Sequence, residues 1–315
     1  MRYRPNKWQI IIALGVSCAV LLAALYLWRM RRDATPAEMA AFLPTGDSLL
    51  LYMDLNAMRR SGLLDALAGP RSAEEADYRQ FIEQTGFSYR DDLDALAVAI
   101  RENPATHERD VYAVARGSFD WARISAYAGT HGGQCNAGFC RVPASQPHRF
   151  VSFYRIRSRL LALAVSSDQW AALLISRGPG PRGASDLPGE PVWMLAPAAA
   201  LQSDGLLPEG TRAFASALRG AERVTLTLGA QGDRLAVSLD VTCRNVDQAS
   251  ALVIQLEQLT ETLRTWIARE HLKPNPGDLS GVLTAGTFRR EDRRVFGSWP
   301  IPREFVRAMS EGAGK

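Results

Sequence analysis

Few constellations in this 315-residue sequence have the residue types and spacing that chemistry needs. Asp91-Asp92-x-Asp94 gathers three carboxylates, groups that hold a hard cation or shuttle a proton. Between a helix end and a strand, however, aspartates accept backbone N–H bonds and cap turns, and that is the role expected here. Arg155-x-Arg157-x-Arg159 places three guanidiniums on one strand face or at a hairpin tip. There they either meet an anionic partner or keep a solvated edge from pairing, and the second is expected. His107, His131, His148 and His271 are scattered, without the His-Glu-x-x-His spacing of a metal site, and read as loop or surface residues.

Nucleophile and nucleotide motifs are missing. No Gly-x-Ser-x-Gly elbow occurs. Gly312-Ala-Gly-Lys315 is a tail with no helix after it, not a phosphate loop. Gly178-x-Gly180-x-x-Gly183 has the letters of a dinucleotide fingerprint. It follows a helix instead of a strand, and Pro179 and Pro181 remove two of the N–H donors a pyrophosphate needs. The expectation is no catalytic residue, no cofactor and no metal.

The cysteines bear on location. Cys135 and Cys140 stand in His131-Gly-Gly-Gln-Cys-Asn-Ala-Gly-Phe-Cys140, where Asn136 and Gly138 let the chain double back. A disulfide closing so short a loop contributes about 2 kcal/mol and persists only in an oxidising compartment. Two free thiols, or half of a zinc site, are the alternatives. Cys18 falls in an apolar run, and Cys243 reads as a small buried hydrophobe.

That apolar run, residues 8–28, is WQIIIALGVSCAVLLAALYLW. Twenty-one residues at 1.5 Å rise span about 31 Å, the thickness of a bilayer core. Trp8 at one end and Tyr26 and Trp28 at the other suit the two headgroup levels, and Arg29, Arg31 and Arg32 follow. A cleaved signal peptide would have a shorter apolar region and a small-residue cleavage site. Residues 1–32 are therefore expected to form an uncleaved single-pass anchor with basic flanks, in the inner (cytoplasmic) membrane of a bacterium. Flanking charges tie, three against three. The α-amino group and the cysteine pair both place the large domain on the periplasmic side.

The charge supports no nucleic-acid role. The chain has 37 Lys+Arg and 33 Asp+Glu; six of the basic residues and no acid lie in 1–32, so the rest carries 31 against 33. The excess belongs to the N-terminus, not to a basic binding face.

The elements that must position these groups alternate along the chain. Residues 33–46 form a tether, 47–177 a first half, 178–190 a Pro/Gly-rich linker, 191–310 a second half and 311–315 a tail. Each half reads as strand, helices, hairpin, helix, hairpin, helix. The clearest strand is 234–242, with Leu235, Val237, Leu239 and Val241 inward and Ala236, Ser238, Asp240 and Thr242 outward. Asn245 caps a long helix to about Arg269, whose apolar stripe includes Val246, Ala249, Val253, Leu256, Leu263 and Ile267, widened by Leu252, Leu259 and Trp266. Further strands are expected near 280–287 and 293–299. The fold class is α+β: antiparallel sheets with helices on one face behind a transmembrane helix, in two halves whose common element order a duplication would explain.

Phe42-Leu-Pro-Thr-Gly-Asp-Ser-Leu-Leu-Leu-Tyr-Met-Asp-Leu55, Thr85-Gly-Phe-Ser-Tyr-Arg-Asp-Asp-Leu-Asp94 and Arg116-Gly-Ser-Phe-Asp120 resemble segments of uncharacterised single-pass anchored bacterial envelope proteins. The resemblance covers about 42–120 and implies no activity. The expected function is non-enzymatic: an anchored envelope protein presenting an α+β interaction domain, with the lipid bilayer and a membrane or envelope protein as partners. An anchored hydrolase with a site built from distant residues, and a lipid-binding domain, are the alternatives. A deep pocket lined by several of Asp91, Asp94, His131 and His148 would favour the hydrolase.

Overall fold

Twelve strands form one continuous antiparallel sheet, in place of the separate sheets expected. The computed structural model describes residues 33–312 apart from 45, 69–75, 104–105, 177–186, 203–216, 219, 232–233 and 271–272. The anchor 1–32, the glycine triplet 178–183, most of the helix expected at 211–219, and His271 lie outside the described residues. No described helix is long and apolar enough to cross a membrane. The sheet and its helices belong to one compact unit, Thr35–Lys315.

In chain order the first half comprises α1 (Pro36–Ala41), β1 (Leu49–Met53), α2 (Leu55–Arg60), α3 (Leu63–Ala68), α4 (Ala76–Thr85), α5 (Tyr89–Asp92), β2 (Leu93–Glu102), β3 (Arg109–Gly117), α6 (Trp121–Thr130), β4 (Gln134–Asn136), β5 (Phe139–Pro143), β6 (Phe150–Arg157), β7 (Leu160–Ser166) and α7 (Ala171–Ser176). The second comprises β8 (Val192–Pro197), α8 (Ala198–Gln202), β9 (Ala221–Gln231), β10 (Arg234–Cys243), α9 (Val246–Arg269), α10 (Leu279–Thr284), β11 (Thr287–Glu291), β12 (Arg294–Ile301) and α11 (Arg303–Gly312). β1 and β8 pair in the middle of the sheet. Outward from that pair the order is β1-β2-β3-β7-β6 one way and β8-β9-β10-β12-β11 the other. β5 and β4 extend the first side.

Local sequence explains most boundaries. The Asn245 side chain accepts the Gln248 N–H at 2.8 Å and starts α9 where expected. Thr35 and Glu38 form a reciprocal capping box on α1, with Pro36 at the first helical position. Ser61-Gly62 separates α2 from α3, because Gly62 takes φ +73°. The strand expected at 280–287 is instead α10 followed by β11. Asp278 accepts the Ser280 N–H at 2.7 Å and caps a helix whose Val282 is buried. A Cβ on Gly281 would stand 2.3 Å from the Asn275 carbonyl oxygen, so the turn into α10 needs glycine.

One face of the sheet is packed from end to end. A register row on it runs Leu161, Ala115, Leu96, Met53, Val192, Leu228, Val237 and Trp299. In the first half, Leu55, Met58, Leu63, Leu64, Ile124 and Ala128 of the helices cover it. In the second, Ala249, Leu252 and Leu256 of α9 and Val282 of α10 do so. Val246 and Trp266 of the expected stripe are exposed, Trp266 at 61%. They lie beyond the strip of α9 that meets the sheet.

The opposite face is treated differently in the two halves, and the expectation of helices on one face holds only for the second. In the first half α1 and α7 cover it. Ala97, Ala99, Ala162 and Ala164 are buried there, and their small side chains let a helix approach closely. The Ala172 N–H donates to Ser152 Oγ at 3.2 Å, tying α7 to β6.

Candidate functional site

On the second half no described helix covers this opposite face. It forms an open groove of about 840 Å³ over β9, β10, β12 and β11, rimmed by Leu187, Pro188 and Glu190. Three register rows floor it. The first is Thr227, Ser238, Ser298 and Thr287, a hydroxyl on each of four neighbouring strands. The second is Thr225, Asp240, Phe296 and Arg289, and the third Arg223, Thr242, Arg294 and Glu291. The 234–242 alternation produces this: Val237, Leu239 and Val241 pack with α9, and Ser238, Asp240 and Thr242 floor the groove, while outward Ala236 is buried.

The charged rows are internally bonded. Arg294 Nε donates to Asp240 Oδ1 at 3.2 Å, and a second guanidinium nitrogen bonds Oδ2. Such a fork holds both planes in register with the sheet. Arg289 pairs with Glu291, and Arg293 with Glu222 at 3.4 Å. The guanidiniums of Arg289 and Arg294 lie 4.4 Å and 4.8 Å from the Phe296 ring centroid. The arrangement is an array of hydrogen-bond donors and acceptors along the sheet. No histidine or cysteine lines it among the described residues.

The residues singled out from sequence lie elsewhere. Asp92 accepts the Ser88 N–H at 2.8 Å, which is a cap. Asp94 bonds Arg159, and Asp91 is exposed. The carboxylates are thus split between a turn and a hairpin. Among the described residues no group of three or more His, Cys, Asp or Glu is arranged to hold a metal ion. Arg155 lies 5.6 Å from the Trp121 ring centroid. β6, which carries Arg155 and Arg157, pairs on both sides and is not an edge. His107 meets Glu102 at 2.8 Å, His131 meets the Tyr127 carbonyl at 2.8 Å, and His148 is exposed. Asp91, Asp94, His131 and His148 do not line the groove.

Cys135 and Cys140 form a disulfide. They face each other across the β4–β5 hairpin, whose turn residues Ala137 and Gly138 take φ +47° and +83°. Two consecutive positive φ values make the tight turn that joins such a hairpin. Cys243 is free and buried, and burial followed by the Glu222 charge raises its pKa. Trp8, Tyr26, Trp28, Arg29, Arg31 and Arg32 lie outside the described residues.

One cluster went unseen in the sequence. Arg149, only 5% exposed, donates to the carbonyls of Arg109 and Val165 and to Glu108 Oε2. Beside it, buried Asp110 accepts from Asn103 at 3.2 Å and from the Tyr112 hydroxyl at 3.4 Å. These bonds fasten the ends of β3 and β7. No local spacing announces them, because their partners are up to 41 residues apart.

No protein-family model matches the sequence, and no curated protein matches it. Solved structures of TP0453 are similar to it. Crystal form I covers 88% of this chain and 98% of TP0453 at 11% identity, with a TM-score of 0.45. Crystal form III gives 87% and 98% at 11% identity and 0.44, and crystal form IV 88% and 96% at 10% identity and 0.41.

Proposed function

We propose that this chain is a membrane-anchored, non-enzymatic envelope protein whose domain, a duplicated α+β unit, binds another envelope component through the groove of its second half. One observation carries the reading: a sheet face that helices cover over β2, β3, β7 and β6 has no described helix over β9, β10, β12 and β11, and is lined there with hydroxyls and with arginines paired to carboxylates. A face with no task needs only solvation. Here Arg294 and Asp240 are joined by two hydrogen bonds, and Arg289 and Arg293 each pair with a glutamate. The apolar run 8–28 supports the anchor, and the disulfide supports a periplasmic domain.

Fractionation tests the anchor. The full chain should stay in the membrane pellet after a carbonate wash, and protease added to intact spheroplasts should digest the domain. Recovery from the soluble pool with residues 1–32 attached would overturn it. A photo-crosslinker at Ser298 should capture an envelope component that one at Gln255, exposed on α9, does not. Equal labelling from both positions would overturn the groove.

A further inference from the structure

We propose that the first half binds a small zwitterion with an apolar body, an apolar α-amino acid, in the cleft where the end of α1 and α7 meet over β2, β3 and β7. Its carboxylate meets Arg101 and its ammonium meets Asp110. The site is separate from the groove of the second half.

The cleft has a volume of about 390 Å³, at the small end of ligand sites, which suits a compact molecule and not a polymer. Phe42, Leu43 and Pro44, which follow α1, and Leu174 and Ile175 of α7 supply its apolar lining. Its floor is polar. Arg101 of β2 and Asp110 of β3 are register partners, so their Cβ atoms stand about 5 Å apart. Asp110 is only 2% exposed. Opposite charges so placed would be expected to pair, yet among the described residues Arg101 has no carboxylate within ion-pair distance. The Tyr112 hydroxyl stands between them, 3.0 Å from the Arg101 guanidinium and 3.4 Å from Asp110 Oδ2. Arg101 Nε and Asp110 Oδ1 have no hydrogen-bond partner among the described residues. Arg149 lies 3.9 Å from that oxygen, beyond hydrogen-bond reach.

These two unpartnered atoms, a donor and an acceptor, select the head group, because a buried polar atom left unpaired is costly. The charged residues of the lining are Arg101, Asp110 and Asp168, so no positive surplus selects an anion. Asp168 is engaged at the start of α7, where Oδ1 accepts the Trp170 N–H at 2.9 Å. A lone carboxylate would satisfy Arg101 and leave Asp110 Oδ1 unpaired, and a lone amine would do the reverse. A carboxylate and an ammonium on one carbon answer both, each through a charge-assisted hydrogen bond. The apolar lining then takes the side chain and favours leucine or phenylalanine over glycine.

The test is calorimetric titration of the full chain in mild detergent with L-leucine and L-phenylalanine. N-acetyl-leucine, which lacks the ammonium, leucinamide, which lacks the carboxylate, and glycine, which lacks the apolar body, serve as comparisons. Saturable binding of leucine or phenylalanine is expected, and each comparison compound should bind at least about tenfold more weakly, the loss of one charge-assisted hydrogen bond or of the side-chain contact. Arg101→Gln should weaken leucine binding about tenfold. Leu174→Asp should do the same without altering the melting temperature, because Leu174 is 54% exposed, and it keeps the test open if Arg101→Gln unfolds. Absence of saturable binding by both amino acids, equal binding of N-acetyl-leucine, leucinamide or glycine, or full binding by the folded variants would overturn the proposal. The result is independent of crosslinking from Ser298, which reads the groove.

Discussion

Tyr52 and Trp193 stack across the β1–β8 pair with ring centroids 5.3 Å apart, and the register row they share changes character at that point. On the Tyr52 side it continues through Ala97, Val114, Ala162 and Tyr154. On the Trp193 side it continues through Thr227, Ser238, Ser298 and Thr287. Both rings are almost fully buried. The stack therefore lies at the central seam between a face roofed by helices and one that no described helix covers. Cross-strand aromatic pairs add about 0.5–1.5 kcal/mol beyond the area they bury.

Trp193→Ala should accordingly cost about 3–5 kcal/mol in urea unfolding, the range for a buried aromatic replaced by alanine. A loss below about 1 kcal/mol would mean that the two halves are joined elsewhere.

The seam also marks how far the sequence was readable. Alternation along 234–242 identified the outward hydroxyls, the Asn245 cap located α9, and the Asn136/Gly138 turn located the disulfide hairpin. Each is a local signal, confined to one strand, cap or turn. The groove is not local. It depends on β10 lying between β9 and β12, and on Ser238 and Ser298 sharing a row although 60 residues separate them in the chain. Register between distant strands has no short-range signature. Nor does the roof over β2 and β3, supplied by α1, which lies on the far side of β1 in sequence. At 280–287 the missed signal was local: Asp278 caps a helix where a strand was expected.

The disulfide closes a short loop at the edge of the sheet. Cys135→Ser should lower stability by about 2 kcal/mol, or roughly 4–8 °C in melting temperature for a domain of this size. Equal melting of the parent protein with and without reductant would show that the bond contributes nothing.

Alkaline pH should destabilise the fold. Burial, and then the charge of Asp54, raises the Tyr52 pKa above its ordinary value of 10.0, although Arg116 opposes the shift. Burial, and then Asp110, does the same for Tyr112, and burial with Glu222 for Cys243. Groups whose folded pKa is raised stay protonated in the native state while the unfolded chain ionises. Their contribution is complete below the unfolded values and is lost as pH rises through about 9 and 10 toward the folded ones. Melting temperature should fall from pH 8 to pH 10.5, and Tyr52→Phe with Cys243→Ala should flatten the fall. An unchanged slope in that double variant would assign the effect to other groups.

Reciprocal exchanges between the third strands of the two halves test whether the groove floor is held for function. Val114 and Ser238 occupy the same row, one buried under the roof and the other in the groove. Val114→Ser removes two methyl groups and places a hydroxyl where no water reaches, and should cost about 2–4 kcal/mol. Ser238→Val faces an open groove and should change stability by less than about 1 kcal/mol, because surface substitutions away from packed sites rarely do more. Arg294→Ala should be similarly mild, since an exposed ion pair such as Arg294–Asp240 contributes about 0–1 kcal/mol. Groove residues that cost little to replace are free to serve binding. If Ser238→Val and Arg294→Ala instead unfold the domain as readily as Val114→Ser does, the floor is structural, and the case for a binding face fails with it.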